Sequence, residues 1–352
     1  MNKKILIENL KKAGKPTETY QSPDGTSIVI LPYGGRMLGL YAPGSEQNFY
    51  WTHTALENVE SAREFYAGQQ WHNSGGDRTW LSPEADVFFP KFPKLDPYFQ
   101  PRQLDPGNYQ VVKKDGTIQL TNKLAITLSR TGQEVPLEIA KSFGAASNPL
   151  QHEADTQKLL DRLEYAGYCQ YTSLEIQSPD ASRMGPVGLW NLVQMPHRGD
   201  LLIPTYVPTQ PRLIMGKISQ EDIIVTDHLI RYKMRAPGEH KISIRALPTA
   251  GRIGYLYETA DQWAVIIRNF FVNPSGLYVD VPWDATDYFG FSTQACNVNS
   301  GLGQFSELEY HIPAVGQGTG RTRCDDAAQV WAFRGSYADI VSVIRLLLTT
   351  EL

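Results

Sequence analysis

The sequence is poor in the features that identify several large classes of protein. Its 352 residues include only three cysteines, Cys169, Cys296 and Cys324, and no Cys-x-x-Cys pair. This odd, scattered set fits neither a disulfide framework nor a thiolate zinc site, so we expect buried free thiols in a reducing compartment. The apolar runs span a handful of residues, far fewer than the roughly 20 that cross a bilayer. No membrane-spanning segment is therefore expected.

Positive charge is also scarce. Thirty-three Lys and Arg residues stand against 37 Asp and Glu residues, which makes the net charge −4. Nucleic acid is therefore not an expected partner. Residues 1–16 have neither an uninterrupted apolar core nor a small-residue cleavage site, so they do not resemble a signal peptide. These features indicate a cytoplasmic protein, or a periplasmic one if a signal peptide has been removed.

Motifs of the common catalytic and metal centres are missing as well. The chain contains no His-Glu-x-x-His, no His-x-His, no Gly-x-Ser-x-Gly and no phosphate-binding loop. Zinc chemistry, hydrolysis by a Ser-His-Asp triad and phosphoryl transfer by a P-loop are therefore not expected. We expect no metal and no cofactor.

Alternation of apolar and polar residues, in contrast, is abundant and predicts β-strands. The alternating segments are 26–33, 109–121, 124–130, 137–143, 168–178, 228–234, 240–247, 263–272 and 277–283. Asp115-Gly116 is a typical hairpin turn inside the second of them. Short strands joined by polar turns predict an all-β fold of large antiparallel sheets. The Pro-rich segment 88–106 is expected to cross one mouth of this sandwich as a rigid loop.

Helical periodicity is limited to a few places. Residues 3–13 form one candidate, which Gly14 ends, and residues 155–163, starting at Asp155, form another. At the carboxyl terminus, Ser336 precedes Asp339 by three residues in a capping-box pattern. We expect a single domain over residues 1–352, with a helix and lead-in over 1–20 and a terminal helix over 336–352.

Residues 66–90 form an aromatic and polar segment that is the strongest indication of a binding site. This composition has little capacity to form a strand. It contains Trp71, His72, Asn73, Asp77, Arg78, Trp80 and Glu84. Indole rings stack on the apolar faces of a sugar ring, and forked polar groups bind its hydroxyls, so this mixture predicts a carbohydrate site. The alternative is structural: Gly75-Gly76-Asp77 forms a turn, Asp77 pairs with Arg78 or caps the backbone, and the tryptophans belong to the core.

Two later segments add candidates for proton transfer. Residues 188–206 lead from a strand into a Pro-His-Arg-Gly turn, which places His197 at a loop tip. Near the end of the chain, Glu307, Glu309 and His311 alternate along a strand and therefore share one face. Two carboxylates and an imidazole are costly to bury without a function, whereas on an exposed face they would be an ordinary solvated stripe.

Four segments, 32–51, 75–84, 189–205 and 306–315, resemble in this order the galactose mutarotase-like (aldose 1-epimerase-like) superfamily, and an uncharacterised bacterial branch of it. The first segment is similar to the opening hairpin of that superfamily, with a Gly-Gly-Arg strand, a Gly turn and an Asn-aromatic pair. The resemblance implies a β-supersandwich of large antiparallel sheets and a sugar or glycan as the ligand.

The resemblance also implies roles for individual residues. In aldose 1-epimerases of this superfamily, a late glutamate removes the anomeric hydroxyl proton and a histidine protonates the ring oxygen. By position, Glu309 or Glu307 would be the base, and His197, His72 or His311 the acid. The candidates for ligand binding are Arg78, Asp77, Trp80, Glu84, Trp190, His311 and Asn73.

The residues support three hypotheses about function. The first is an aldose 1-epimerase-like enzyme that performs acid/base catalysis on a sugar ring. The second is a non-catalytic carbohydrate-binding protein, because the Asn-His-x-Tyr-Phe segment of the epimerases has no counterpart in this chain. The third is a glycoside hydrolase or lyase that uses Glu84 with Glu309, since one fold hosts several reactions. The sequence specifies neither the sugar nor the oligomeric state.

Overall fold

The chain forms nineteen β-strands within the residues that the computed structural model describes, which are 1–114, 117–153, 156–282 and 288–352. In chain order they are β1 (Glu18–Gln21), β2 (Ser27–Leu31), β3 (Arg36–Tyr41), β4 (Asp77–Ser82), β5 (Gln110–Lys114), β6 (Thr117–Thr127), β7 (Glu134–Ala145), β8 (Glu164–Ile176), β9 (Gly188–Pro196), β10 (Asp200–Pro204), β11 (Arg212–Met215), β12 (Ile223–Val225), β13 (Leu229–Lys233), β14 (Gly238–Arg245), β15 (Arg252–Glu258), β16 (Trp263–Asn269), β17 (Phe291–Ser300), β18 (Gly303–His311) and β19 (Arg323–Gly335).

These strands pair into two large antiparallel sheets. The first sheet has nine strands in the order β1-β2-β3-β4-β9-β18-β17-β14-β11. The second has ten strands in the order β12-β13-β10-β15-β16-β19-β8-β7-β6-β5. Consecutive strands β9 and β10 belong to different sheets, so the turn that carries His197 passes from one sheet to the other. The predicted all-β, antiparallel architecture is confirmed.

The described helices are short: α1 (Lys3–Lys12), α2 (Val59–Ala67), α3 (Glu84–Phe88), α4 (Gln157–Leu160) and α5 (Tyr337–Leu347). One-turn 3₁₀ helices occur at Thr54–Glu57, Pro149–His152, Ala181–Arg183 and Gln220–Asp222. None of these helices is long and apolar enough to cross a membrane.

Both terminal helices form where the sequence predicts them. The Asn2 side chain caps α1 by accepting hydrogen bonds from two backbone N–H groups, and Gly14 follows the helix with a φ of +74°. At α5, the Ser336 hydroxyl oxygen accepts from the backbone N–H of Asp339, which confirms the predicted cap. The predicted helix over 155–163 is only the single turn of α4, and Asp155 lies outside the described residues.

Most predicted strands are present with shifted ends, and one is not. Residues 124–130 do not start a new strand, because β6 runs without a break through Thr127. The turn at Asp115-Gly116 lies outside the described residues. The strand predicted over 277–283 is wrong for 277–282, where isolated backbone hydrogen bonds, such as that from Phe291 N–H to the Asp280 carbonyl, replace a ladder. Trp283 is not described.

The expectation that residues 66–90 have little capacity for a strand is also wrong, because β4 lies inside this segment. All six residues of β4 are buried between β3 and β9. Gly75 and Gly76 make this placement possible with φ angles of +98° and +70°. A Cβ atom on Gly76 would lie 2.3 Å from the carbonyl oxygen of Met37. Only glycine permits this close approach to β3.

A buried ion pair joins the two sheets. Arg268 on β16 donates a hydrogen bond of 2.6 Å to Asp77 Oδ2 on β4, and the Tyr168 hydroxyl on β8 donates to the same oxygen at 2.9 Å. Asp77 and Arg268 are both fully buried. Because successive residues of a strand point to opposite faces, Asp77 faces the core whereas Arg78 faces away from it.

We predict that Asp77→Ala lowers the free energy of unfolding by about 3–5 kcal/mol, because Arg268 would be left buried without its counter-ion. Urea unfolding at pH 7 measures this loss. The control is Asp325→Ala on β19, where the pair with Arg323 is largely exposed. That substitution should cost less than about 1 kcal/mol. Equal losses in the two variants would contradict a structural role for the Asp77–Arg268 pair.

Candidate functional site

A cavity of about 580 Å³ lies on the face of the nine-stranded sheet that carries Arg78. This volume is within the range of sites that hold small molecules. The Pro-rich segment 88–106 contributes Phe89, Leu95, Tyr98 and Gln100 to its walls. The other lining residues are Gln70, Trp71, Arg78, Trp80, Glu84, Trp190, Met215, Glu239, Lys241, Cys296, Val298, Leu302, Phe305, Glu307 and Glu309.

Antiparallel register assembles the floor of this cavity. Lys241 on β14 pairs with Cys296 on β17, and Cys296 pairs with Glu307 on β18, which in turn pairs with Gln194 on β9. Directly paired residues share a face of a sheet, so these four side chains form one row. Glu309 follows Glu307 by two residues and therefore adds a second carboxyl to the same face.

Three indole rings form the aromatic wall of the cavity. Trp80 pairs with Trp190 across β4 and β9, and their ring centroids are 5.6 Å apart. Trp71 packs against Trp80 at 5.4 Å. A single oxygen, Asp105 Oδ2, accepts hydrogen bonds from Trp71 Nε1 at 2.9 Å, Trp80 Nε1 at 3.0 Å and Arg36 Nη2 at 2.8 Å. Asp105 therefore holds two of the rings in place from the Pro-rich segment.

The first charged pair in the cavity is Arg78 with Glu307. Arg78 Nη2 donates to Glu307 Oε1 at 2.7 Å, and Gln194 Nε2 donates to the same oxygen at 2.9 Å. The guanidinium carbon of Arg78 also lies 4.1 Å from the centroid of the Trp80 ring. These contacts keep the Arg78 side chain in one position over the aromatic wall.

The second charged group centres on Lys241. Its Nζ lies 2.8 Å from Glu84 Oε2 and 3.7 Å from Glu309 Oε2. Burial alone would lower the pKa of Lys241, but the carboxylates of Glu309, Glu84 and Asp280 outweigh it and raise that pKa above its usual range. Lys241 is therefore a fixed positive charge in the cavity.

Glu309 is the carboxyl that the described residues satisfy least. Its Oε2 accepts a hydrogen bond of 2.9 Å from Trp190 Nε1, whereas its Oε1 has no hydrogen-bond partner in the described part of the chain. Burial raises the pKa of Glu309 to about 8, with repulsion from Glu307 and Glu84 adding to the effect and attraction to Lys241 opposing it. A protonated carboxyl near neutral pH beside the paired Glu307 is an arrangement suited to acid/base chemistry.

One group of side chains could hold a metal ion among the residues described. Cys296 Sγ and one carboxyl oxygen from each of Glu307 and Glu309 lie within 4.8 Å of one another. Burial, with the two carboxylates, raises the pKa of the Cys296 thiol well above its usual value. Since metal ligation requires the thiolate, and since Arg78 and Lys241 already contact these carboxylates, the donor set is a poor match for a divalent ion.

The cavity brings together seven of the candidates named from the sequence: Trp71, Arg78, Trp80, Glu84, Trp190, Glu307 and Glu309. The remaining five do not line it: Asp77, Asn73, His72, His197 and His311. Asp77 lies in the core, as described above. Asn73 is also buried, and neither its Oδ1 nor its Nδ2 has a partner within the described residues.

The three predicted histidines lie around the cavity rather than in it. His72 borders a small neighbouring cavity; its Nε2 donates to the Gly68 carbonyl at 3.1 Å, and its Nδ1 accepts from the Tyr33 hydroxyl at 2.6 Å. His197 donates from Nε2 to Asn297 Oδ1 at 2.9 Å. No histidine lines the cavity in the part of the chain that the structure describes.

His311 supports the cavity from behind. Its ring stacks on Trp190 with centroids 5.4 Å apart, and its Nε2 lies 2.7 Å from Gln294 Oε1. The Gln294 amide nitrogen is a donor to Asp280 Oδ2, so its oxygen is the acceptor for His311. Burial lowers the pKa of His311 to about 4. The imidazole is therefore neutral at pH 7 and is a packing partner of Trp190.

Two residues of the site escaped the sequence analysis. Lys241 lies in an alternating segment whose polar face is expected to contact solvent, and nothing in the pattern distinguishes it from the exposed Arg245. Asp105 directly precedes Pro106 in the Pro-rich segment, where an acidic residue is typical of a turn. The sequence contains one weak indication of the role of Asp105. Buried indole N–H groups, such as those of Trp71 and Trp80, need an acceptor.

Comparison with solved structures identifies the class of fold. The chain is similar to a galactose mutarotase-like protein from Lactobacillus casei ATCC 334, with a TM-score of 0.50 and 9% identity over 90% of this chain and 99% of that one. A galactose mutarotase related enzyme from Lactobacillus acidophilus matches with a TM-score of 0.47 and 8% identity over 89% of this chain and 96% of that one. The fold is galactose mutarotase-like, which confirms the resemblance seen in the sequence.

The sequence itself matches a family profile over residues 6–352. The chain belongs to the family described as a family of unknown function, DUF6786. No curated protein matches the chain.

The neutral state of His311 makes a prediction about stability at low pH. Below its usual pKa of 6.5 the unfolded chain binds a proton that the folded chain rejects, so stability is lost as the pH falls from about 6.5 to about 4. The full loss from this group is about 3 kcal/mol. Urea unfolding at pH 7 and pH 4.5 should therefore show a smaller difference in His311→Gln than in the wild type.

The exposed His152 provides the control, since its substitution by Gln should leave the pH dependence as it is in the wild type. Comparison between variants is required because buried acids such as Asp326, whose pKa burial raises to about 6, act in the opposite direction. An unchanged difference in His311→Gln would show that this imidazole does not titrate between the two states.

Proposed function

We propose that this chain is a carbohydrate-active protein that binds a sugar ring in the cavity and exchanges protons with it in an aldose 1-epimerase-like reaction. The observation that carries the proposal is the unpartnered Glu309 Oε1 beside Glu307, on a floor walled by Trp71, Trp80 and Trp190. Indole faces suit the C–H surface of a sugar, and the carboxyl pair suits its hydroxyls.

The two carboxyl groups divide the acid and base roles between them. Glu307 is paired with Arg78 and Gln194 and acts as the carboxylate. Glu309, whose pKa is raised to about 8, acts as the carboxylic acid. The anomeric hydroxyl and the ring oxygen are bonded to the same carbon, so two carboxyl oxygens within 4.8 Å of each other can reach both of them.

Proton transfer through this pair opens and closes the ring. Glu307 takes the proton of the anomeric hydroxyl while Glu309 gives its proton to the ring oxygen, and the bond between that oxygen and the anomeric carbon breaks to leave the open-chain aldehyde. After the carbonyl group has rotated, the two protons return and the ring closes again as the other anomer. Lys241, 3.7 Å from Glu309, stabilises the carboxylate that forms there.

A binding-only protein is the second candidate, and one observation favours it. No histidine lines the cavity among the described residues, whereas the resemblance to the epimerases implies a histidine as the acid. In a binding protein, the same aromatic wall and charged pairs would hold a glycan, and no residue would transfer a proton. The hydrolase hypothesis has less support, because Lys241 holds Glu84 at 2.8 Å and contacts Glu309 as well.

We predict that Glu309→Gln lowers the rate of anomer interconversion at least about 100-fold, since an amide cannot donate a proton to the ring oxygen. NMR exchange spectroscopy on a panel of reducing sugars measures this rate. In the wild type, kcat/KM should fall as the pH rises through about 8, where Glu309 loses its proton. The Glu309→Gln variant should show no such alkaline limb.

Glu175→Gln is the matched control, because this partly exposed glutamate lies on β8 of the other sheet. Its rate and its pH profile should equal those of the wild type. Interconversion that is just as fast in Glu309→Gln would sink the catalytic proposal and leave the binding-only candidate.

Binding has its own prediction. Trp71 is only partly buried, so Trp71→Ala removes a stacking surface with less cost to the core than a change at Trp80. Sugar affinity measured by calorimetry should fall about fivefold or more, because a stacked aromatic ring contributes on the order of 1 kcal/mol or more. The control is Trp263→Ala, an indole on β16 that packs against Tyr337. A sugar that binds Trp71→Ala as tightly as the wild type would place the ligand outside this cavity.

A further inference from the structure

The floor of the cavity holds more acidic side chains than basic ones. Three acidic side chains, Glu84, Glu307 and Glu309, face two basic ones, Arg78 and Lys241, and each of the five is more than nine-tenths buried. Arg78 pairs with Glu307 at 2.7 Å and Lys241 with Glu84 at 2.8 Å. Glu309, at 3.7 Å from Lys241, is the third carboxyl and has no cation of its own in the described part of the chain.

Further groups around this floor add negative rather than positive charge. The Asp280 carboxylate is 3% exposed and accepts from the Glu84 backbone N–H at 2.8 Å and from Gln294 Nε2 at 2.8 Å. Glu239 lines the cavity wall, where its carboxylate accepts from the Ser300 hydroxyl at 2.7 Å. Anionic ligands, such as sugar phosphates and uronic acids, would meet repulsion here because both lining cations are already paired.

Three acceptors at this floor lie close enough together for one primary ammonium group to contact them. Cys296 Sγ and one oxygen from each of Glu307 and Glu309 lie within 4.8 Å of one another. The three N–H bonds of an ammonium diverge tetrahedrally, so two oxygen acceptors at about 2.8 Å from the nitrogen are up to about 4.6 Å apart. The group also contains the carboxyl that has an unpartnered, buried oxygen within the described residues.

We propose that the cavity takes an amino sugar, and that its primary ammonium binds at Glu309, Glu307 and Cys296. The ammonium takes the place of the proton that Glu309 holds in the free protein, and it makes a charge-assisted hydrogen bond to the Glu309 carboxylate. The sugar ring lies against the aromatic wall of Trp71 and Trp80. This inference rests on the proposed binding of a sugar in the cavity and specifies the chemical class of the ligand. Because the bound ammonium occupies Glu307 and Glu309, the inference concerns binding and not the ring-opening step.

A divalent metal fits the same place less well. It would bring two positive charges to the place where Glu309 holds one proton, next to Arg78 and Lys241. It would also require Cys296 as a thiolate, whereas a neutral sulfur atom suffices as a weak acceptor for an N–H group. An ammonium group meets both conditions.

Calorimetric titration at pH 7 tests the inference with three groups of ligands. The first is the free amines glucosamine and galactosamine, the second is glucose and galactose, and the third is the two N-acetylated amines. We expect the amine to bind at least about tenfold more tightly than the matching hexose or N-acetyl sugar, the ratio typical of one charge-assisted hydrogen bond.

The readout in variants is the ratio of amine to hexose affinity, because a general loss of binding cancels from a ratio. In Glu309→Gln this ratio should fall below about twofold, since the amide carries no charge. Glu239→Gln is the matched control, a cavity carboxylate outside the three acceptors, and it should keep the preference. If Glu309→Gln fails to fold, Cys296→Val removes one acceptor without a change of formal charge and should also lower the ratio.

The outcomes separate the two proposals. Hexoses or N-acetyl sugars that bind as tightly as the amines would overturn the amino-sugar inference and support the general sugar-binding function. An amine preference that persists in both Glu309→Gln and Cys296→Val would overturn the assignment of the ammonium to this place. Failure of every sugar in the panel to bind would overturn the inference and the proposed function together.

Discussion

Strict alternation along β4, β9, β18, β17 and β14 is the constraint on which the cavity depends. Each strand presents every second residue to the cavity and the others to the core, so neighbours in sequence serve different purposes. Asp77 and Arg78 show this most clearly: one closes an ion pair between the sheets, and the next pairs with Glu307 under the aromatic wall. Antiparallel register then aligns Lys241, Cys296 and Glu307 in a single row. The chemistry of the floor is therefore a property of the whole sheet.

Electrostatics explains why so polar a floor stays intact inside the protein. Buried charges are tolerated when they are paired and hydrogen-bonded, and Arg78–Glu307 and Lys241–Glu84 meet this condition. Glu309 does not, and it avoids the penalty by holding its proton, as its raised pKa indicates. Glu309 is thus a buried carboxyl that is able to respond to a ligand. The Asp77–Arg268 pair has no such freedom, because both partners face the packed core.

Local pattern was sufficient to predict the sheets and part of the site. Period-two alternation depends only on which residues face the core, so it identified most strands and the shared face of Glu307 and Glu309. It failed for 277–282, where alternation is present but no partner strand pairs in register. The sequence analysis also placed Asp77 and Arg78 in the same candidate site. A segment rich in polar and aromatic residues does not show which face of the sheet each residue occupies.

The histidines and Lys241 show a second limit of sequence reasoning. A titratable residue can be recognised in a sequence, but its distance from a carboxyl on another strand depends on sheet order, and β14 and β4 are far apart in the chain. His72, His197 and His311 each make a hydrogen bond outside the cavity, at positions where imidazole is a packing or loop residue. Lys241 occupies the same alternating pattern as many solvated lysines. Only the fold shows that its ammonium group is enclosed by carboxylates.

Asp105 has a consequence for how this cavity could change during evolution or engineering. One carboxylate oxygen on the Pro-rich segment fixes Trp71, Trp80 and Arg36, which come from separate parts of the chain. The loop that covers the cavity and the wall that would contact a ligand therefore form one cooperative unit. A loop exchanged from a relative would disorganise the indole rings unless it carried an acceptor at the same point. In this protein, a change in the loop is therefore also a change in the aromatic wall.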